Sequence, residues 1–271
     1  MKLQSKYPYH MDGISVGGNK YLSCIMVKEG TQAAILASAK EVMAWSPEIV
    51  EWRLDYVNPM ENNDFSEALL CETTEKLAEI IKGSILLVTF RIKEQGGLRS
   101  FPRDLRLRMV KACIRTGKVG IIDVEIDSDA EYIRQIWEEA HRHGTKLLLS
   151  FHDWECVPDN AFMIAKVREA IEKGADIPKL YLTANSYADV IRIADTAKRI
   201  RKEGICKTPF CMCGMNHIAM ITRILGGECG SDFGYFTCSG VRGGYEEDDE
   251  YFKALLDVFD MRESQLGGIN A

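Results

Sequence analysis

Eight apolar runs of strand length, each followed by a stretch with helical periodicity, constrain this chain more tightly than anything else in it. The runs are "YLSCIMV" (21–27), "EIVEWRLD" (48–55), "SILLVTFR" (84–91), "VGIIDVEI" (119–126), "TKLLLSFH" (145–152), "PKLYLT" (178–183), "TPFCMC" (208–213) and "FGYFT" (233–237). Helices are expected over 31–45, 65–82, 103–117, 129–143, 159–173, 186–203, 216–226 and 248–260. Glycines at 83, 144, 174 and 204 stand where helix C-caps belong. Eight strand-helix units within 271 residues, with no linker between them, predict a single α/β domain over 1–271 built as a (β/α)8 barrel. A doubly wound open sheet would carry a glycine-rich phosphate turn after its first strand, and here that strand runs into "KEGTQAA". Residues 1–20, with "DGISVGGNKY", read as a short hairpin plugging the lower end.

Side chains alternate across a strand, so each run divides into two faces. Val50, Trp52 and Leu54 oppose Glu51, Arg53 and Asp55; Leu86, Val88 and Phe90 oppose Thr89 and Arg91. Ile122, Val124 and Ile126 oppose Asp123 and Glu125; Leu147, Leu149 and Phe151 oppose Ser150 and His152; Leu180 and Leu182 oppose Lys179, Tyr181 and Thr183. In a barrel the apolar faces meet the helices, so the polar faces converge inside, at the C-terminal ends of the strands. The bland alternative is pairing alone: Glu51 with Arg53 or Arg91, and Asp123 or Glu125 with Lys179.

Composition narrows the partner. A net charge of −6 with dispersed basic residues argues against nucleic acid and anionic membranes, which leaves a small molecule. No apolar run reaches membrane-spanning length and no signal-peptide pattern opens the chain, so a cytoplasmic protein is expected. Nine scattered cysteines fit free thiols in a reducing compartment. The "CMC" at Cys211 to Cys213 lacks a second Cys/His pair for zinc and reads as buried small residues on alternate sides of a strand.

An inward lysine among arginines and apolar neighbours stands where burial and positive charge favour the neutral amine. Such an amine attacks a ketone, the protonated imine acidifies the adjacent C–H, and a nearby histidine takes that proton. Arg53, Arg91 and Arg223 would hold a substrate carboxylate. The residues alone leave open whether water is eliminated or, as in a class I aldolase-type lyase, a carbon-carbon bond is broken. A non-catalytic metabolite-binding barrel is the reading from a different class.

The segments "EIVEWRLD", "LLVTFR" with "GG" beyond it, "LLLSFHD", "GADIPKLYL" and "MNHIAMITRILGGECGSDFG" resemble, in order and spacing, type I 3-dehydroquinate dehydratase. The resemblance runs from about residue 20 to about residue 237. It implies a homodimeric barrel that converts 3-dehydroquinate to 3-dehydroshikimate in the shikimate pathway of aromatic amino acid biosynthesis, without metal or cofactor. It further implies Lys179 as the Schiff-base lysine, His152 as general acid/base, Glu51 and Arg53 at the substrate hydroxyls, Arg91 and Arg223 as polar and carboxylate-binding arginines, and Met215 as a pocket wall. Two stretches depart from the family's pattern. "RIKEQGG" puts Gln95, with Glu94 one residue earlier, where the family has a glutamate that bonds the histidine. The lid, "SAPGQ" in the family, is here "CSGVRGGYEEDD" (238–249), with Gly240 and Gly244 at the positions of its serine and glutamine. Cys24 stands where the family commonly has serine.

Overall fold

The computed structural model describes residues 2–59 and 65–236; the lid, Cys238 and the helix expected over 248–260 lie outside the described residues. A two-stranded hairpin, β1 (Tyr9–Met11) and β2 (Ile14–Val16), comes first. Its turn is Asp12-Gly13, with φ of +48° and +80°. Both central residues are left-handed, as the tightest hairpin turns require.

Eight parallel strands follow, in the order β10-β3-β4-β5-β6-β7-β8-β9. They are β3 (Leu22–Val27), β4 (Ile49–Arg53), β5 (Ile85–Thr89), β6 (Ile121–Glu125), β7 (Lys146–Asp153), β8 (Ile177–Thr183), β9 (Cys211–Met215) and β10 (Phe233–Phe236). The two ends of the sheet meet where Asp232 N donates to Phe210 O at 2.9 Å and Met212 N to Ser231 Oγ at 3.1 Å. All eight expected strands are present, within a few residues of their predicted bounds.

Between them run α1 (Gln32–Met43), α2 (Glu67–Ile80), α3 (Arg103–Arg115), α4 (Ala130–Arg142), α5 (Asn160–Glu172) and α6 (Tyr187–Lys202). The hydroxyls of Thr31, Ser66 and Ser186 and the carboxylates of Asp129 and Asp159 cap helix N-termini by accepting from backbone N–H groups. Among the described residues, no helix is long and apolar enough to cross a membrane.

The helix expected over 216–226 is instead broken into a 3-10 turn (His217–Ala219), α7 (Ile221–Ile224) and α8 (Gly226–Cys229). Asn216 ahead of it has φ +67°, outside the helical region. Gly226 lies so close to Tyr21 that a Cβ there would sit 2.4 Å from the phenol oxygen. Close packing on β3 takes precedence here over helical continuity.

The two faces of β4 to β8 separate as alternation predicts. Val50, Trp52, Leu54, Val88, Val124 and Leu149 join one helix-facing core, and Leu180 and Leu182 a second. Inside the barrel, Leu22, Ile49, Ile85, Ile121, Leu148 and Ile177 form an apolar floor against Tyr9, Met11 and Val16 of the hairpin. Cys211 and Cys213 do not alternate as expected: two residues apart on one strand, both face inward, with sulfurs 3.8 Å apart. Beneath the floor, Asp232 accepts from Lys2 Nζ at 2.7 Å and from Arg201 Nη2 at 2.6 Å, and all three side chains are buried.

Candidate active site

Above the apolar floor the strands end in polar groups around one cavity of about 390 Å³. That volume lies at the small end of the range of roughly 300–1,000 Å³ for small-molecule sites, so it takes a single small ring rather than a dinucleotide. Lys179, His152, Gln95, Glu51, Arg53, Arg91, Arg223 and Met215 all line it, so every expected site residue is brought together.

Lys179 sits one residue past Pro178 on β8, only 3% exposed. Its Nζ donates to Asp123 Oδ2 at 2.9 Å and to the Tyr235 hydroxyl at 2.8 Å, and lies 4.3 Å from the Tyr235 ring centroid. The pairing of Lys179 with Asp123 that parity allowed is therefore made. Burial alone would raise the Asp123 carboxyl, but Arg91 first and Lys179 next outweigh it, and the group lies well below the usual carboxylate range.

Arg91 is a buried hub. Its Nη2 donates to Asp123 Oδ2 at 2.8 Å, and its Nη1 to Glu125 Oε1 at 3.1 Å and Ser150 Oγ at 2.8 Å. Arg53 turns to Asp55, with Nε and Nη2 at 2.7 and 2.8 Å from the two carboxylate oxygens, so the alternative pairing of Glu51 with Arg53 or Arg91 gives way to these carboxylates. Arg223, on α7, stacks over Tyr181 at 5.6 Å and donates through Nε and Nη2 to Gly214 O. Its Nη1 has no partner among the described residues.

His152, next to last in β7, has its ring nearly parallel to that of Trp154, 5.9 Å away and tilted by 12°. Trp154 is in turn held by Gly96, whose φ of +81° and lack of a side chain are both required, since a Cβ would meet the indole at 2.5 Å. Burial first, then Arg91 and Lys179, push the imidazole well below its ordinary value, so it is a neutral base. The anchor suggested by the resemblance is not made. Gln95 lines the cavity, but the buried His152 Nδ1 has no hydrogen-bond partner among the described residues. Glu94 points away, exposed on the short 3-10 turn Lys93–Gln95, so no one-residue shift substitutes it. Stacking and burial, not a second-residue hydrogen bond, hold the ring.

Of the lining residues that the sequence does not single out, two bear on the chemistry. Lys28, just past β3, adds a cation whose value is lowered by burial and then by Arg53. Tyr235, on β10, touches the lysine itself. Continuing the period-two alternation from Cys24 and Met26 would have found Lys28, and from Phe233 would have found Tyr235. Among the described residues around the cavity, formal charge then comprises Lys28, Arg53, Arg91, Lys179 and Arg223 against Glu51, Asp55, Asp123 and Glu125. The one-charge cationic excess suits a small anion with a single carboxylate.

The profile of the type I 3-dehydroquinase family matches residues 23–242. A 3-dehydroquinate dehydratase of Alkaliphilus oremlandii is 30% identical over 83% of this chain and 86% of its own length. That of Bacillus licheniformis is 26% identical over 81% of this chain and 84% of its own. Among solved structures, 3-dehydroquinate dehydratase from Geobacillus kaustophilus superposes with a TM-score of 0.86 at 23% identity, covering 96% of this chain and 99% of that one. The type I enzyme from Clostridium difficile with covalently modified comenic acid does so with a TM-score of 0.85 at 24% identity, covering 96% and 98%.

Proposed function

The chain belongs to the type I 3-dehydroquinase family, and from that premise we propose that it removes water from 3-dehydroquinate through an imine on Lys179. The observation that carries this reading is a buried lysine and a neutral, buried histidine lining one small cavity with a surplus of positive charge. Lys179 Nζ adds to the C3 ketone and water departs, leaving an iminium. His152 takes the C2 proton while the C–H electron pair moves into that iminium, the C1 hydroxyl leaves as water with the proton returned by the imidazolium, and hydrolysis frees 3-dehydroshikimate and the amine. Glu51 and Arg53 are assigned to the substrate hydroxyls, Arg223 to the carboxylate and Met215 to the wall. Arg91, whose donors are taken by protein carboxylates and Ser150, is assigned to holding Asp123 in place.

The wider reading is of one barrel domain over 1–271, closed by a lid at 238–249 and serving the shikimate pathway. A cytoplasmic location is supported by the free thiols at Cys24, Cys113, Cys206 and elsewhere. A homodimer is supported by Tyr187 and Ile191, one turn apart on α6 and 73% and 68% exposed. Light scattering should return twice the chain mass of 30.6 kDa; a single-chain mass removes the dimer.

The depressed imidazole sets the pH dependence. A base that is neutral until unusually low pH keeps kcat/KM level as the pH falls through about 6.5, the ordinary histidine value. The acid limb lies below it. Gln95→Glu adds an anion to the cavity, favours the imidazolium and moves that limb upward. A wild-type limb centred at or above 6.5 contradicts the assignment of His152, and an unmoved limb in Gln95→Glu places residue 95 out of the imidazole's reach.

A further inference from the structure

Among the described residues, two groups hydrogen-bond to the nitrogen of Lys179, and they differ in what they can do with a proton. Asp123 is ionised and buried beside Arg91, so it accepts hydrogen bonds but has no proton to give. Tyr235 carries one. Burial first, then Glu51, pushes its phenol well above the ordinary value, so the hydroxyl stays protonated. It also stays in place, because the ring is buried on β10, edge-on to Tyr181 at 5.6 Å and 70° and packed on Phe233 at 6.1 Å.

Imine formation passes through an adduct in which the former ketone oxygen is an alkoxide and the nitrogen carries one proton too many. A proton must leave that nitrogen and reach that oxygen before water can depart. The two atoms share one carbon and are too close for a direct transfer of good geometry. A hydroxyl 2.8 Å from the nitrogen bridges them: it accepts the N–H proton as it gives its own to the alkoxide. One N–H bond breaks, one O–H bond forms, and the phenol ends as it began, so no other reactant is needed.

We propose that Tyr235 is a further catalytic residue of this barrel, relaying a proton from the Lys179 nitrogen to the former ketone oxygen as the imine forms and in reverse as it hydrolyses. The inference rests on the assignment of Lys179 as the imine-forming amine. His152 is left to the C2 proton and the leaving hydroxyl, so the two proton tasks fall to different groups on different strands, β7 and β10.

Tyr235→Phe keeps the ring, its packing and its contact with the Lys179 nitrogen, and deletes the hydroxyl alone. Rapid quenching of 3-dehydroquinate turnover with borohydride should show the Lys179 adduct accumulating about 10²-fold more slowly than in wild type, the lower range for loss of a positioned proton donor. With the adduct slowed, C–H cleavage no longer limits, and the isotope effect with C2-deuterated substrate shrinks towards unity. A loss of packing alone would leave that isotope effect where it was. Should Tyr235→Phe fold poorly, 3,5-difluorotyrosine at 235 preserves the shape and acidifies the phenol. Adduct formation must then fail at lower pH than in wild type, because an ionised phenol has nothing to give. Adduct formation at the wild-type rate in Tyr235→Phe, or an unshifted profile in the fluorinated protein, overturns the relay. Absence of any adduct in wild type overturns the imine reading instead.

Discussion

Lys179→Ala abolishes turnover of 3-dehydroquinate, with kcat falling on the order of 10⁴-fold or more, the scale on which loss of a covalent nucleophile acts. Borohydride treatment in the presence of substrate then gives no mass increase on the protein. The size of the effect follows from the site. Among the described residues, Lys179 is the amine held in the cavity by both a carboxylate and a phenol, whereas Lys28, the other described lysine that lines the cavity, lies just past β3. His152→Ala separates the two halves of the mechanism. It leaves the nucleophile intact, so the adduct still forms, while kcat drops about 10²–10⁴-fold for want of the base. Both variants should keep the wild-type circular dichroism spectrum. An adduct persisting in Lys179→Ala, or an undiminished kcat in His152→Ala, would remove the corresponding role.

Arg91→Met costs stability rather than affinity, about 3–5 kcal/mol in urea denaturation. The guanidinium is the shared cation of Asp123 and Glu125, and the side chains of all three are at most 4% exposed. A methionine of similar length leaves two carboxylates buried, Asp123 with Lys179 and Ser150 and Glu125 with only the Ile92 N–H, among the described residues, to offset them. The same substitution distinguishes this role from the one implied by family resemblance. If Arg91 chiefly gripped the substrate carboxylate, KM would rise while the urea midpoint stayed within about 1 kcal/mol of wild type.

The fold was legible because the chain repeats one instruction. In β4 to β8 the outward positions are aliphatic or aromatic and the inward ones include Glu51, Arg53, Asp123, Glu125, His152 and Lys179, so alternation separates core from cavity without ambiguity. In β3, β9 and β10 the contrast vanishes. Cys24, Met26, Cys213, Phe233 and Tyr235 point inward and are as apolar as their outward neighbours, which is why Lys28 and Tyr235 went unread. The broken segment after β9 escaped for a different reason. Its helical periodicity is real, but Gly226 is placed to meet Tyr21, a residue about 200 positions earlier, and no local pattern encodes such a contact. The setting of His152 is tertiary in the same way, since the indole that holds it depends on a left-handed glycine in another loop.

The buried Asp232, gripped from one side by Lys2 and from the other by Arg201, has a consequence for how the chain comes together. Lys2 and Asp232 lie 230 positions apart, and β3 pairs with β10 across almost the same span. Such contacts reward the chain only after nearly all of it has been synthesised and searched, which makes ring closure a late, slow event. Until it occurs, β3 and β9 are open sheet edges with unpaired backbone groups, the form in which an otherwise well-protected barrel is most exposed to pairing with its neighbours.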